Sequence, residues 1–225
     1  MDLLRQSSFM NSKIPWIAYA ALAFSYVLLM FSGLPLVLLV ILKVLPIALL
    51  IALALRQGGA PVHLPIALFF SGCGDALLAL PHETWFVYGL AAFLLAQVTY
   101  AAGFFRARRA TVDSRAKRRL MLIALFMSAI AVGVLPASGD LLIPVVAYFL
   151  AISAMACTAA LHRYTGLMLF AGAFIFVVSD SIIALNKFVM PFDGARHAIM
   201  LTYYAAQGLI VKSVLNDSAG QHGCG

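Results

Sequence analysis

The sequence predicts an all-α membrane protein with eight transmembrane helices, and three observations predict it. First, the 225 residues are 64% hydrophobic and only 10% charged, with a mean hydropathy of +1.02. A soluble domain carries about 45–50% apolar and about 25% charged residues, so this chain has too few polar side chains to cover a water-facing surface. Disorder is excluded on the same ground, because it needs low hydrophobicity and high charge. Second, the apolar residues fall in runs near the roughly 20 residues that a helix needs to cross a hydrocarbon core about 30 Å thick. Third, the runs are continuously apolar and Leu/Ala-rich, without the period-two alternation of barrel strands.

Eight runs are read in order: 14–31, 34–55, 64–80, 84–105, 120–135, 141–161, 165–186 and 197–215. The first follows Arg5 and Lys13 and has no small-residue cleavage site behind it, so it reads as an uncleaved span rather than a signal peptide. Helix-breaking residues punctuate the runs: Ser32-Gly33 with Pro35, Gly58-Gly59 with Pro61, Pro81, Pro136 with Gly139, and Pro191 with Gly194. The polar tail 216–225 is expected to be disordered. Residues 1–225 are expected to form a single eight-span membrane domain.

The basic residues set a direction. With eight spans, one side of the membrane collects Arg5, Lys13, Arg56, Arg163, Lys212 and the stretch 106–119, which alone holds seven basic residues. The other side receives only Lys187 and Arg196. This asymmetry predicts that both termini are cytoplasmic. It also accounts for the net charge of +7. The 106–119 stretch lies between two spans and has no aromatic interleaving, so it reads as a loop facing an anionic leaflet rather than a nucleic-acid patch. Cys73 and Cys157 fall inside spans and Cys224 in the tail, which gives neither a disulfide framework nor metal-ligand spacing.

Two segments resemble each other. Gly74 through Leu80 in the third span matches Ser179 through Leu185 in the seventh, and an Ala-Gln pair follows in the next span of each half, at Gln97 and Gln207. Four spans separate the matches, which suggests a parallel four-plus-four repeat. The repeat places Asp75 and Asp180 at similar depth. An ionisable residue at mid-span costs about 2.5–3.5 kcal/mol on insertion scales, so such residues face the bundle interior and pair or function. Lys43 in the second span is the third of these. Ser71, Asp75, Leu78 and His82 share one stripe of the third span, and Gly72 and Gly74 leave that backbone bare. Gln97 and Tyr100 share a face of the fourth span, and Tyr203 and Gln207 a face of the eighth; Tyr148 marks the sixth. Ser179 and Ser181 flank Asp180.

These residues carry a resemblance. Lys43 through Pro46, Ser71 through Leu78, Phe93 through Tyr100, Phe176 through Leu185 and Thr202 through Gln207 resemble, in order and spacing, the YhhN-like family of integral membrane proteins, whose animal members include lysoplasmalogenase. One departure is visible: the family often has His where this chain has Gln97. The resemblance implies hydrolysis of the vinyl ether bond of a lysoplasmalogen to a fatty aldehyde and a glycerophospho-headgroup, with water and a lysophospholipid as substrates and no metal cofactor. It also implies an integral membrane protein, in a bacterium that of the inner membrane.

The chemistry suits the residues. A vinyl ether is hydrolysed by slow proton transfer to its β-carbon, addition of water to the oxocarbenium ion, and collapse of the hemiacetal. That requires one protonated carboxylic acid and one carboxylate, as in glycosidases. Asp75 and Asp180 are the expected catalytic pair, with either able to serve as the acid. Lys43 would hold one of them ionised. Ser71, Gln97, Tyr100, Ser179, Tyr203 and Gln207 would support them or orient substrate and water. A small secondary transporter or flippase would use the same intramembrane charges, and a structural role would use them to lock helix packing.

Overall fold

A computed structural model describes residues 13–57, 60–109, 111–163 and 166–222. Among the described residues there are eight α-helices: α1 (Ile14–Leu29), α2 (Leu36–Arg56), α3 (His63–Leu78), α4 (Glu83–Arg106), α5 (Ser114–Ala137), α6 (Leu142–Ala160), α7 (Leu167–Ala184) and α8 (Ala195–His222). A 3-10 turn at Gly139–Leu141 leads into α6, and a π-helical turn at Leu185–Val189 prolongs α7. The described residues hold no strand, only an isolated bridge between Arg108 and His162. That bridge ties the segment after α4 to the segment after α6.

Among the described residues, six helices are long and apolar enough to cross a membrane: α2, α4, α5, α6 with its 3-10 lead, α7 with its π turn, and α8. The other two, α1 and α3, have 16 residues each. Each rises about 24 Å, less than the roughly 30 Å of a full crossing. Pro61 just before α3 and Pro81 just after it keep that helix short.

Two boundaries differ from expectation. The basic stretch expected as a loop up to residue 119 becomes helical at Ser114, because the Asp113 side chain accepts from the Ala116 N–H at 2.7 Å and caps α5. The tail expected to be disordered from Asn216 continues α8 through His222. Neighbours hold it there: Gln57 Nε2 donates to the Leu215 carbonyl at 2.6 Å, and Asp217 lies 3.8 Å from His162. Arg5 and Cys224 lie outside the described residues.

Lipid removes most of the hydrophobic drive between helices, so close backbone approach and interhelical hydrogen bonds must specify the bundle. α3 packs most closely on α4, and α7 on α8. A Cβ at Gly74 would stand 2.5 Å from the Phe93 ring, and one at Gly89 2.7 Å from Leu78, so both helices depend on bare positions. Polar ties join the rest. The Tyr19 hydroxyl donates to the Tyr204 carbonyl at 2.6 Å, and the Tyr204 hydroxyl to the Lys43 carbonyl at 2.8 Å. These bonds connect α1, α8 and α2 just where Pro46 removes a backbone donor from α2.

Candidate active site

The first centre forms around Asp75 on α3, which is buried. Lys43 Nζ from α2 stands 3.6 Å from Asp75 Oδ1 and donates to the Asp75 main-chain carbonyl at 2.9 Å. The Tyr203 hydroxyl from α8 donates to Asp75 Oδ2 at 2.7 Å. Behind Tyr203, Gln207 completes a chain. Its Nε2 donates to Ser71 Oγ at 3.0 Å, and its Oε1 accepts from the Tyr100 hydroxyl at 2.8 Å. Every member of this network is buried. An unpaired charge here would cost several kcal/mol, so the ammonium and the hydroxyls make the Asp75 carboxylate tolerable.

The second centre is Asp180 on α7. The Tyr148 hydroxyl from α6 donates to Asp180 Oδ2. Gln97 Nε2 stands 3.5 Å from the Tyr148 oxygen, at the outer limit of a hydrogen bond, and Gln97 Oε1 is buried without a partner. Asp180 is only half-buried and opens on a cavity of about 50 Å³ between α4, α5, α6 and α7. Leu90, Phe93, Met127, Ile152 and Val177 make the walls apolar. The volume holds on the order of three or four waters, or one functional group with a short piece of chain.

Aromatic rings join the two centres. The Tyr203 ring meets Phe93 edge-on at 5.8 Å and Phe176 at 5.6 Å, and Phe93 faces the cavity. Asp75 therefore sits beneath Tyr203, outside the cavity lining, while Asp180 is part of that lining.

Most sequence candidates gather in these centres. Lys43, Ser71, Asp75, Tyr100, Tyr203 and Gln207 form one network, and Gln97 reaches the Asp180 centre through Tyr148. Ser179 does not join them: its Oγ donates to the Ile199 carbonyl at 3.0 Å and ties α7 to α8. Its position next to Asp180 turns it some 100° around the helix.

The YhhN family profile matches residues 38–214. The chain belongs to the YhhN family. The match takes in Lys43, both aspartates and every tyrosine and glutamine of the two centres. Relatives of this YhhN chain include the Mycobacterium bovis protein named Lysoplasmalogenase, 38% identical over 148 residues, which covers 64% of this chain and 57% of that protein. Bos taurus Lysoplasmalogenase TMEM86A is 30% identical over 161 residues, covering 68% and 65%. Sus scrofa Lysoplasmalogenase TMEM86B is 35% identical over 158 residues, covering 70% and 65%. The chain thus spans about 57% to 65% of the length of these relatives. No solved structure matches this YhhN chain.

Proposed function

We propose that the chain is a membrane-embedded hydrolase that cleaves the vinyl ether bond of a lysoplasmalogen. The observation that carries this reading is the contrast between its two carboxylates. Asp75 is paired with an ammonium, whereas Asp180 opens on an apolar cavity beside a single hydroxyl. An unpaired charge in apolar surroundings is costly, so Asp180 is assigned as the neutral acid and Asp75 as the fixed carboxylate. The names of the relatives support the same reaction.

In this mechanism the Asp180 carboxyl proton passes to the vinyl β-carbon, held in the cavity against Phe93. The resulting oxocarbenium ion is stabilised by the Asp180 carboxylate just formed and, through the polarised Tyr203, by Asp75. A water in the cavity adds to the α-carbon and returns its proton to Asp180. The hemiacetal then collapses: its C–O bond breaks, the hydroxyl proton moves to the departing glycerol oxygen, and a fatty aldehyde leaves. One water is consumed and no net proton. The cavity is too small for a whole alkenyl chain, so the tail lies between helices in the lipid.

We assign eight crossings in two parallel halves, with both termini on the cytoplasmic side. The arrangement of the centres supports the repeat. Lys43 precedes Asp75 by 32 residues, and Tyr148 precedes Asp180 by the same 32. The register shift that carries Asp75 onto Asp180 also carries Ser71 onto Phe176. Phe93 precedes Gln97 by one helical turn, as Tyr203 precedes Gln207. Gln207 Nε2 finds the Ser71 hydroxyl, at a position that phenylalanine takes in the other half, where Gln97 Oε1 is buried without a partner. One centre is polar and sealed; its counterpart is apolar and open.

The test is aldehyde release by purified protein in detergent, with no gradient across a membrane. Wild type should release one aldehyde per lysoplasmalogen, and Asp180→Asn should reduce the rate at least about a hundredfold, within the usual contribution of a general acid. Full activity in Asp180→Asn would overturn the assignment. Flux in sealed vesicles without aldehyde would favour the transporter.

A further inference from the structure

The cavity has a charged rim that the chemistry above leaves unused. Lys187 in the π turn after α7 donates to Glu83 Oε1, at the start of α4, at 2.9 Å. Their aromatic neighbours Phe188 and Phe86 line the cavity and meet edge-on at 6.2 Å, and the Lys187 ammonium also stands 5.2 Å from the Phe86 ring. The Glu83 side chain is 89% exposed and that of Lys187 35%. An exposed pair of this kind adds little to stability, because water screens both charges, so it is a weak tie and its charges are easily drawn to a ligand.

The spacing fits one class of ligand. Lys187 follows Asp180 by seven residues, nearly two helical turns, which places it on about the same face and roughly 10 Å farther along the axis. In a lysoplasmalogen seven bonds separate the vinyl β-carbon from phosphorus, roughly 8–9 Å when extended at about 1.5 Å per bond in zigzag. A β-carbon at Asp180 therefore brings the phosphate within reach of the Lys187 side chain. The four arginines at the opposite end of the bundle, Arg106, Arg108, Arg109 and Arg163, line an open basic pocket. Arg106 lies thirteen residues beyond Phe93 on α4, about 20 Å away, too far to hold the phosphate of the same molecule.

We propose that Lys187 and Glu83 form the headgroup site and select a zwitterionic glycerophospholipid, with Lys187 taking the phosphate and Glu83 the ammonium. This rests on the hydrolase reading. Substrate opens the ion pair, and each partner exchanges its neighbour for a charge of the ligand. Neutral alkenylglycerol has neither charge, and alkenylglycerophosphate lacks the ammonium and meets Glu83 as a like charge.

The test compares KM for alkenyl-glycerophosphoethanolamine, alkenylglycerophosphate and alkenylglycerol, using the full chain in detergent. Lys187→Ala should raise the KM ratio of phosphate-bearing to phosphate-free substrate about tenfold. Glu83→Gln should shift preference from the ethanolamine substrate towards alkenylglycerophosphate by a similar factor. Equal changes on all three substrates, or none, would overturn the proposal. Loss of melting temperature in either variant is followed by the charge swap Lys187→Glu with Glu83→Lys, which keeps the pair and should still change the ratios. If wild type releases aldehyde from none of the three, the hydrolase reading fails. The rim is then judged by binding of the acyl analogues lysophosphatidylethanolamine and monoacylglycerol, and equal loss of both in Lys187→Ala would overturn it.

Discussion

The Tyr148 hydroxyl donates to Asp180 across the α6–α7 interface, so the carboxyl group that faces the cavity is oriented by a phenol and not by a cation. Tyr148→Phe removes only that hydroxyl. Asp180 becomes a carboxylate only as its proton leaves in the transition state, and a hydrogen bond to a charged partner contributes about 1.5–3 kcal/mol, so kcat should fall roughly 10- to 100-fold. KM should change little, because the ring still lines the cavity. Steady-state aldehyde release, with a melting curve as control, checks this.

Lys43→Met should leave the Asp75 charge without its partner and cost about 3–5 kcal/mol. The double variant Lys43→Met with Asp75→Asn should recover most of that loss, because neither charge is then buried. Thermal unfolding in detergent reads both. Equal stability of the single and double variants would count against the ion pair.

Gly74→Ala places a methyl group 2.5 Å from the Phe93 ring. Overpacking of this kind costs about 1–3 kcal/mol. The ring forms part of the cavity wall, so activity should fall as well. Phe93→Leu in the same chain makes room and should restore stability more fully than turnover.

Burial, followed by the neighbouring His63, Arg163 and Arg109, pushes His162 down from 6.5 to about 4. The folded state therefore binds fewer protons than the unfolded state between these values. The stabilisation from neutral His162 is fully present above about pH 6.5 and is lost as pH falls towards about 4. Asp217 at 3.8 Å does not reverse the sign, because burial dominates. The difference in melting temperature between wild type and His162→Asn, measured across this window, should shrink as pH falls.

The helices were legible because bilayer thickness fixes the length of an apolar run, and proline and glycine mark its ends. Asp75, Asp180 and Lys43 stood out because charge is rare in such runs. Ser71, Tyr203 and Gln207 were legible from shared faces, since helical spacing determines which side chains can meet. The partner of Asp180 was not. In the sequence Tyr148 only marks the sixth span, because a lone tyrosine carries no spacing signal and its direction depends on how α6 packs against α7. The 32-residue spacing shared with Lys43 was the available clue. The cavity walls were also hidden, since Phe93 and Met127 look the same whether they face lipid or a void. Ser179 is adjacent to Asp180 in sequence but points to a different face of α7. Ser179→Ala should therefore leave turnover within about twofold, with a stability loss near 1 kcal/mol for its bond to Ile199.

The sixteen residues of α3 have a consequence for the lipid around it. As one of the eight proposed crossings, a helix that short would leave a hydrophobic mismatch of about 6 Å, and the surrounding bilayer would thin or its flanking groups reach outward to meet it. Asp75 lies three residues from the C-terminal end of this helix. At that end the headgroup layer would then dip towards the level of the carboxylates. A single-chain lipid would have less far to sink from its resting depth, and water less apolar thickness to cross, than beside a full-length span.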